Sequence, residues 1–175
     1  EVNEKISSLS HDWKSIDVDY LWSCTNFFMN DDIVEQEVDL VSLGNLQDYT
    51  DDRLRKMSIS EDQGKSWSNI YPNNFLIEPV CQASMISIKR PLKREIIAFS
   101  NPNSKTNREK MSLKLSLDKT KTWSKTILLH SGPSAYSNLI QLNNKEIGCL
   151  FEGGNKSPYE GIAFKKMLIK DLLSN

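Results

Sequence analysis

A short turn motif occurs twice in this chain, and it restricts the fold more than any other feature. The segments SEDQGKSW, starting at Ser60, and SLDKTKTW, starting at Ser116, share the pattern S-x-D-x-[GT]-K-[ST]-W. Each copy follows a segment in which apolar and polar residues alternate, RKMSIS before the first and KMSLKLS before the second. Such alternation running into a Ser, Asp, Gly and Lys cluster predicts a strand that enters a tight turn.

The motif itself is interpreted as structural. Its serine and aspartate side chains are expected to hydrogen-bond nearby backbone amides, while Gly64 permits a positive φ. The tryptophans, Trp67 and Trp123, are expected to pack beneath the turn. No twelve-residue calcium-loop pattern surrounds the aspartates, so the motif predicts no metal site.

Short alternating segments elsewhere predict a chain made almost entirely of strands. The further strand candidates are 37–43, 84–89, 95–100, 137–142, 146–152 and 161–169. Helical periodicity is nearly absent, apart from one or two turns over 170–173. A unit of roughly 50 residues with a tryptophan-bearing turn predicts an all-β fold made of four-stranded β-propeller blades. A β-sandwich with a similar number of strands is the alternative.

Composition excludes several classes of function. The 22 Lys and Arg residues nearly balance the 23 Asp and Glu residues, so no basic field predicts nucleic-acid binding. Three distant cysteines and two distant histidines have neither disulfide-framework nor metal-ligand spacing, and no metal or other cofactor is predicted. No apolar run approaches the roughly 18 residues that would span a bilayer.

Several segments, in order along the chain, resemble the sialidase (neuraminidase) family. The turn motif resembles the family's Asp-box. EPVCQASMISI from Glu78 and AFSNPNSKTNREK from Ala98 resemble its P-x-C-Q-x-S and F-S-N-P segments, the latter followed by a family arginine. GPSAYSNL from Gly132 resembles the segment with the catalytic tyrosine, and IGCLFEGG with SPYEGIAF resembles the closing strands. The resemblance is dense over residues 53–172 and poor over 1–35.

The resemblance implies a six-bladed propeller and a site with defined roles. Arg108 matches the third of three arginines that bind the substrate carboxylate. Tyr136 matches the nucleophile, and Glu152 matches the glutamate that supports the first arginine. Sialic acid bears a carboxylate on the carbon that is attacked, so a neutral phenol approaches more readily than a carboxylate nucleophile would. A phenol with a pKa of about 10 then needs a neighbouring carboxylate to take its proton.

Other parts of the implied site are altered or missing. Alignment of LGNLQDY with the strand that bears the second arginine places Gln47 at the arginine position. The glutamate base then falls near Val34, and after a shift Glu35 or Glu37 substitutes for it. The first arginine, commonly in R-I-P, and the general-acid aspartate have no match. Six blades need roughly 300 residues, whereas this chain has 175 and supplies about three. We therefore expect a partial propeller domain over 1–175 that resembles the C-terminal half of a sialidase.

Two classes of function follow. The leading hypothesis is an exo-α-sialidase domain that acts on terminal sialic acid of glycoconjugates and is inactive or poorly active on its own. The alternative is a degenerate, non-catalytic module that binds sialoglycans or serves as a scaffold. The enzyme implies sialylated glycans as substrate and the binding module implies them as ligand, whereas a scaffold implies neither. A missing N-terminal half or a second copy would complete the propeller. The family favours a secreted, periplasmic or cell-surface location.

Overall fold

The computed structural model describes residues 42–46, 52–60, 66–91 and 93–174. Within these residues, nine strands and one short helix follow one another. They are β1 Ser42–Leu46, β2 Leu54–Ser60, β3 Tyr71–Ile77, β4 Ser84–Ile88, β5 Ile96–Pro102, β6 Glu109–Ser116, β7 Lys125–Asn143, β8 Glu146–Gly153, β9 Gly161–Leu168 and α1 Ile169–Leu173. The all-β prediction is confirmed, including the short helical end.

The strands form antiparallel sheets in which each strand pairs with its neighbour in sequence. One sheet has the order β1-β2-β3, and the other runs from β4 to β9 in chain order. The first half of β7, to Pro133, pairs with β6, and the second half, from Ser134, pairs with β8. The long sheet therefore divides at β7 into a four-stranded unit, β4-β5-β6-β7, and a three-stranded unit, β7-β8-β9.

The turn motif forms the connection between the third and fourth strands of the four-stranded unit. Ser116 Oγ accepts a hydrogen bond from Thr120 N at 2.8 Å, and Asp118 Oδ1 accepts one from Thr122 N at 2.8 Å. Trp123 lies buried in the core below, as expected, whereas Trp67 of the first copy is 45% exposed, so the same expectation for Trp67 is wrong. Thr120, which corresponds to Gly64 of the first copy, has a φ of 68°. In the second copy a β-branched residue thus adopts the left-handed conformation. Glycine would adopt this conformation at lower cost.

Two apolar clusters hold the units together. One lies between the four-stranded and three-stranded units and contains Leu113, Ile147, Phe151 and α1 residues such as Leu172. The other joins the β1-β2-β3 sheet to the four-stranded unit and contains Met57, Leu76, Met85, Phe99 and Trp123. The arrangement is that of successive blades packed face to face.

A buried charged cluster accompanies the second core. The Arg55 and Glu78 side chains, 1% and 0% exposed, form an ion pair at 2.7 Å. Lys114 is also buried, and its Nζ donates to the Phe75 carbonyl at 2.9 Å. Burial, together with the Arg55 charge, lowers the pKa of Lys114 to about 8. A buried ammonium held at this interface is costly, because few groups replace its hydration.

The three-stranded unit has an apolar face that the described residues leave uncovered. Strand register places Leu150 opposite Phe164, with Ile162 and Ile140 two residues away on the same face. All four side chains are exposed, Ile162 by 72%. The Phe164 ring lies over Gly148, where an added Cβ would stand 2.6 Å from the ring. This surface of Ile140, Leu150, Ile162 and Phe164 is called the terminal face below.

Candidate functional site

Tyr136 is presented by an irregularity in β7. The step from Ser134 to Ser137 on β7 faces the step from Gly153 to Phe151 on β8, so β7 contains one extra residue there. A bulge of this kind bends the strand and redirects a side chain. Both neighbours of Tyr136 in sequence are buried, whereas Tyr136 itself is 47% exposed. The ring is therefore available to a ligand and does not fill the core.

Arg108 lies beside that ring. Its guanidinium carbon is 5.6 Å from the centroid of the Tyr136 ring, within the range of a cation–π contact. Its backbone carbonyl accepts a hydrogen bond from Ser134 N at 2.8 Å, which connects the loop before β6 to the bulged strand. Partial burial lowers the pKa of Arg108, but interactions with Cys81 and Tyr159 outweigh it and leave that pKa above its ordinary value. Arg108 is therefore a cation at neutral pH.

Two hydrogen bonds fix the plane of the Arg108 guanidinium. Nη2 donates to the Val80 carbonyl at 3.1 Å, and Nη1 donates to the Tyr159 hydroxyl at 2.7 Å. Val80 has a φ of 56°, a conformation that a β-branched residue adopts only when its surroundings impose it. Two of the five guanidinium N–H groups are thus used within the described part of the chain, and a carboxylate ligand could take two others as a fork.

The segment from Glu78 to Ser84 connects the parts of the site by hydrogen bonds. Arg55 Nη2 donates to the Cys81 carbonyl, and Gln82 Oε1 accepts a hydrogen bond from Ser137 N at 3.0 Å. Ser84 Oγ accepts another from Leu139 N at 3.0 Å. The segment from Glu78 to Ser84 therefore contacts the buried ion pair, the site arginine and the strand that bears Tyr136. Burial raises the pKa of the Cys81 thiol to about 11, so this thiol is neutral at pH 7.

Glu152 lies on β8 next to the bulge. Its Oε2 accepts a hydrogen bond from the backbone N–H of Tyr136 at 3.1 Å. Among the described residues, none makes a hydrogen bond to the Tyr136 hydroxyl. A base for that hydroxyl would have to come from elsewhere, such as Glu35. Glu35 and Gln47 both lie outside the described residues, so their assignment stays a prediction.

Tyr159 is the site residue that sequence reasoning did not single out. It lies in the loop between β8 and β9, 51 positions after Arg108. The SPYEGIAF segment contains this tyrosine, but the motif marked the closing strands and carried no role for the hydroxyl. Within the described ranges, no three His, Cys, Asp or Glu side chains come together as a metal site would require. No helix in those ranges has the length and apolar character needed to span a membrane.

The sequence is similar to a known domain family and to known sialidases. Residues 34–149 match the family described as BNR repeat-like domain. The chain is 34% identical over 126 residues to a sialidase of Bacteroides fragilis, covering 68% of this chain and 22% of that protein. It is 26% identical over 166 residues to human Sialidase-3, covering 72% of this chain and 39% of that protein. The chain thus spans well under half the length of these relatives.

Solved structures agree with the sequence comparison. The Hadza microbial sialidase Hz136 superposes with a TM-score of 0.64 at 29% identity, covering 75% of this chain and 26% of that one. The NanB sialidase from Streptococcus pneumoniae superposes with a TM-score of 0.59 at 25% identity, covering 70% and 21%. The propeller prediction is confirmed, and the sandwich alternative is not supported.

Proposed function

Since this chain belongs to the BNR repeat-like domain family and forms blades of a sialidase-type β-propeller, we propose that it carries the nucleophile side of an exo-α-sialidase site. The substrate class is terminal sialic acid of glycoconjugates. The observation that carries this proposal is the Arg108 guanidinium held against the ring of an exposed tyrosine, Tyr136. A cation that binds a carboxylate and a neutral nucleophile are then adjacent, as attack on a carbon bearing a carboxylate requires.

The chemistry assigns each group one task. Arg108 binds the substrate carboxylate through two parallel N–H groups, a geometry that a lysine ammonium lacks. The Tyr136 oxygen attacks the anomeric carbon, its proton passes to a base, and the aglycone leaves with a proton from a general acid. Water then releases sialic acid with net retention. Glu152 holds the Tyr136 backbone and would support an arginine from another blade.

The complete site would also need a first arginine and a general acid from other blades. No R-I-P segment occurs in the sequence, and no residue here is assigned as general acid. Acid and base catalysis each contribute typically about 10² to 10⁴ in rate, so the chain alone is expected to bind sialic acid weakly and turn it over slowly or not at all. Residues 1–175 would then act as one partial propeller domain.

The terminal face is proposed as the place where the N-terminal blades of a sialidase dock. The preceding unit has four strands, whereas the β7-β8-β9 unit has three, and β9 is an edge strand among the described residues. Open sheet edges with apolar side chains favour pairing with another chain. A fourth strand beside β9 and an adjoining blade over Ile162 and Phe164 would satisfy both features.

Ligand binding by the chain tests the site directly. Saturation-transfer NMR with sialyllactose should detect binding to the full 175-residue chain. Arg108→Ala should weaken binding by roughly 10- to 150-fold, because charge-assisted hydrogen bonds contribute about 1.5 to 3 kcal/mol. Tyr136→Phe should leave binding little changed. Absence of binding by the unmodified chain, or binding indifferent to Arg108→Ala, would refute the proposed site.

Complementation tests catalysis and docking together. The chain is mixed with the N-terminal blades of the Bacteroides fragilis sialidase, and release from a fluorogenic sialoside is measured. Turnover should appear only in the mixture and vanish with Tyr136→Phe. Phe164→Lys should weaken the complex, whereas the matched exposed residue on β3, Phe75→Lys, should not. Binding without any turnover would favour the non-catalytic alternative, and a dimer of this chain through the terminal face would identify a second copy as the occupant.

A further inference from the structure

The Arg108 guanidinium is oriented by a residue from a third part of the chain. Its Nη1 donates to the Tyr159 hydroxyl at 2.7 Å, and this bond joins the loop before β6 to the loop between β8 and β9. The Val80 carbonyl fixes the opposite nitrogen at 3.1 Å. Two hydrogen bonds to different nitrogens of a planar group determine the direction of that plane. Val80 and Tyr159 therefore set how the guanidinium faces Tyr136.

Tyr159 is placed by its own loop. The Glu160 carboxylate accepts hydrogen bonds from the backbone N–H groups of Asn155, Lys156 and Ser157, at 2.9, 2.9 and 3.0 Å. Tyr159 N donates to Ser157 Oγ at 3.3 Å, which closes the turn around the tyrosine. The ring itself is largely exposed, so packing contributes little to its position. The loop backbone, held by one carboxylate, presents the hydroxyl to Arg108.

We propose that Tyr159 is a positioning residue that holds Arg108 in the orientation needed to bind a carboxylate beside Tyr136. A long arginine side chain loses conformational entropy when it is fixed. Contacts made before the ligand arrives remove part of this cost from binding. The value of this orientation for sialic acid binding rests on the function proposed above, whereas the orientation itself does not.

The orientation is measured without any ligand. The full chain is labelled with ¹⁵N-arginine, and the Arg108 side-chain signals are assigned by their loss in Arg108→Lys. Hindered rotation about the Nε–Cζ bond should give separate Nη signals in the unmodified chain. Tyr159→Phe should accelerate this rotation at least about tenfold, since it removes a charge-assisted hydrogen bond. Tyr71→Phe, which removes a hydroxyl on β3, should leave it unchanged.

A second arm measures affinity for sialyllactose in the same variants. Tyr159→Phe should weaken binding by about 5- to 15-fold, less than Arg108→Ala, because the arginine remains but is no longer held. Unchanged Arg108 rotation in Tyr159→Phe would overturn the inference, whatever the affinities. Faster rotation in a chain that binds no sialyllactose would support the positioning role and refute the proposed function, so the two failures are distinguishable. Unchanged thermal unfolding of Tyr159→Phe checks that the fold is retained.

Discussion

In the part of the chain that the structure describes, single carboxylates organise two turns, at Asp118 and at Glu160. Asp118 accepts hydrogen bonds from the Thr122 backbone and hydroxyl, and from Ser116 Oγ at 2.9 Å. The two hydrogen bonds from Thr122 are the main reason why the pKa of Asp118 lies below its usual range. Backbone N–H groups that lack a strand partner are thereby satisfied within the turn. The motif therefore stabilises its turn through local hydrogen bonds.

Removing the Asp118 carboxylate should weaken the whole chain modestly. Asp118→Ala is expected to lower the free energy of unfolding by about 1 to 2 kcal/mol, the net value of one or two hydrogen bonds. Because the pKa of Asp118 is lower in the folded chain, its contribution is present at neutral pH and is lost as the pH falls through that pKa. Urea unfolding at pH 7 and in acid measures both effects. Lys121→Ala on the same turn is the control, and an equal loss in that control would contradict the prediction.

Among the elements, strands with clear alternation were predictable and the others were not. The segments at β2 and β6 alternate cleanly before a turn cluster, and the structure places strands there. β3 contains Pro72, Asn73 and Asn74, residues that disfavour strands, and it exists because Leu54 and Met57 of β2 supply partners. Local pattern cannot reveal a strand whose stability comes from pairing. The same limit hid the first half of β7.

Some residues of the candidate site were likewise predictable from the sequence, and others were not. Motif order pointed to Arg108 and Tyr136, and the structure brings these two side chains together. Tyr159 was not predicted because its contact spans 51 positions and depends on the loop conformation imposed by Glu160. Glu35 and Gln47 remain predictions. Sequence reasoning therefore identified chemical residue types, whereas the contacts that orient them required coordinates.

The β8–β9 loop should depend on its carboxylate. Bonds to the Asn155 and Lys156 amides lower the pKa of Glu160, so the folded loop is favoured above that pKa and is released as the pH falls through it. Glu160→Gln is expected to accelerate amide hydrogen exchange at 155–157 by about tenfold, since one charged acceptor serves all three amides. Glu146→Gln, on the β7–β8 turn, should leave these amides unaffected. Equal protection in Glu160→Gln would show that the loop is held by other contacts.

At the scale of the whole molecule, the interface between blades combines apolar packing with buried charge. Among the described residues, Arg55 and Lys114 bring two positive charges to this interface, and Glu78 pairs with Arg55. Burial and the neighbouring Arg55 charge both disfavour the protonated form of Lys114. The stability of the chain should consequently depend on pH in the alkaline range.

Lys114 has a pKa of about 8 in the folded chain against an ordinary value of 10.5. The unfolded chain binds more protons between these values, so the free energy of unfolding should gain roughly 3 kcal/mol from Lys114 as the pH rises through them. Lys114→Met should lack this gain and be most stabilised relative to the unmodified chain below pH 8. Urea unfolding across pH 7 to 10 measures the difference between the two chains.

That difference isolates Lys114 from other titrating groups. Burial raises the pKa of Cys81 and of Cys149 to about 11, and these thiols act in the opposite direction because the folded chain then retains more protons. Their contribution is common to both chains and cancels. Lys89→Met, an exposed substitution, should reproduce the unmodified profile. Parallel profiles for Lys114→Met and the unmodified chain would mean that Lys114 is not desolvated as described.

The sharing of β7 between two sheets has a consequence for how the molecule opens. A boundary between blades that was an ordinary loop would let one unit melt while its neighbour stayed intact. Here one strand, β7, is the last strand of the four-stranded unit and the first strand of the three-stranded unit. Loss of the β8 and β9 pairing therefore also removes the support of the strand that pairs with β6. The two units are thereby expected to exchange their slowest amide protons in a single concerted event.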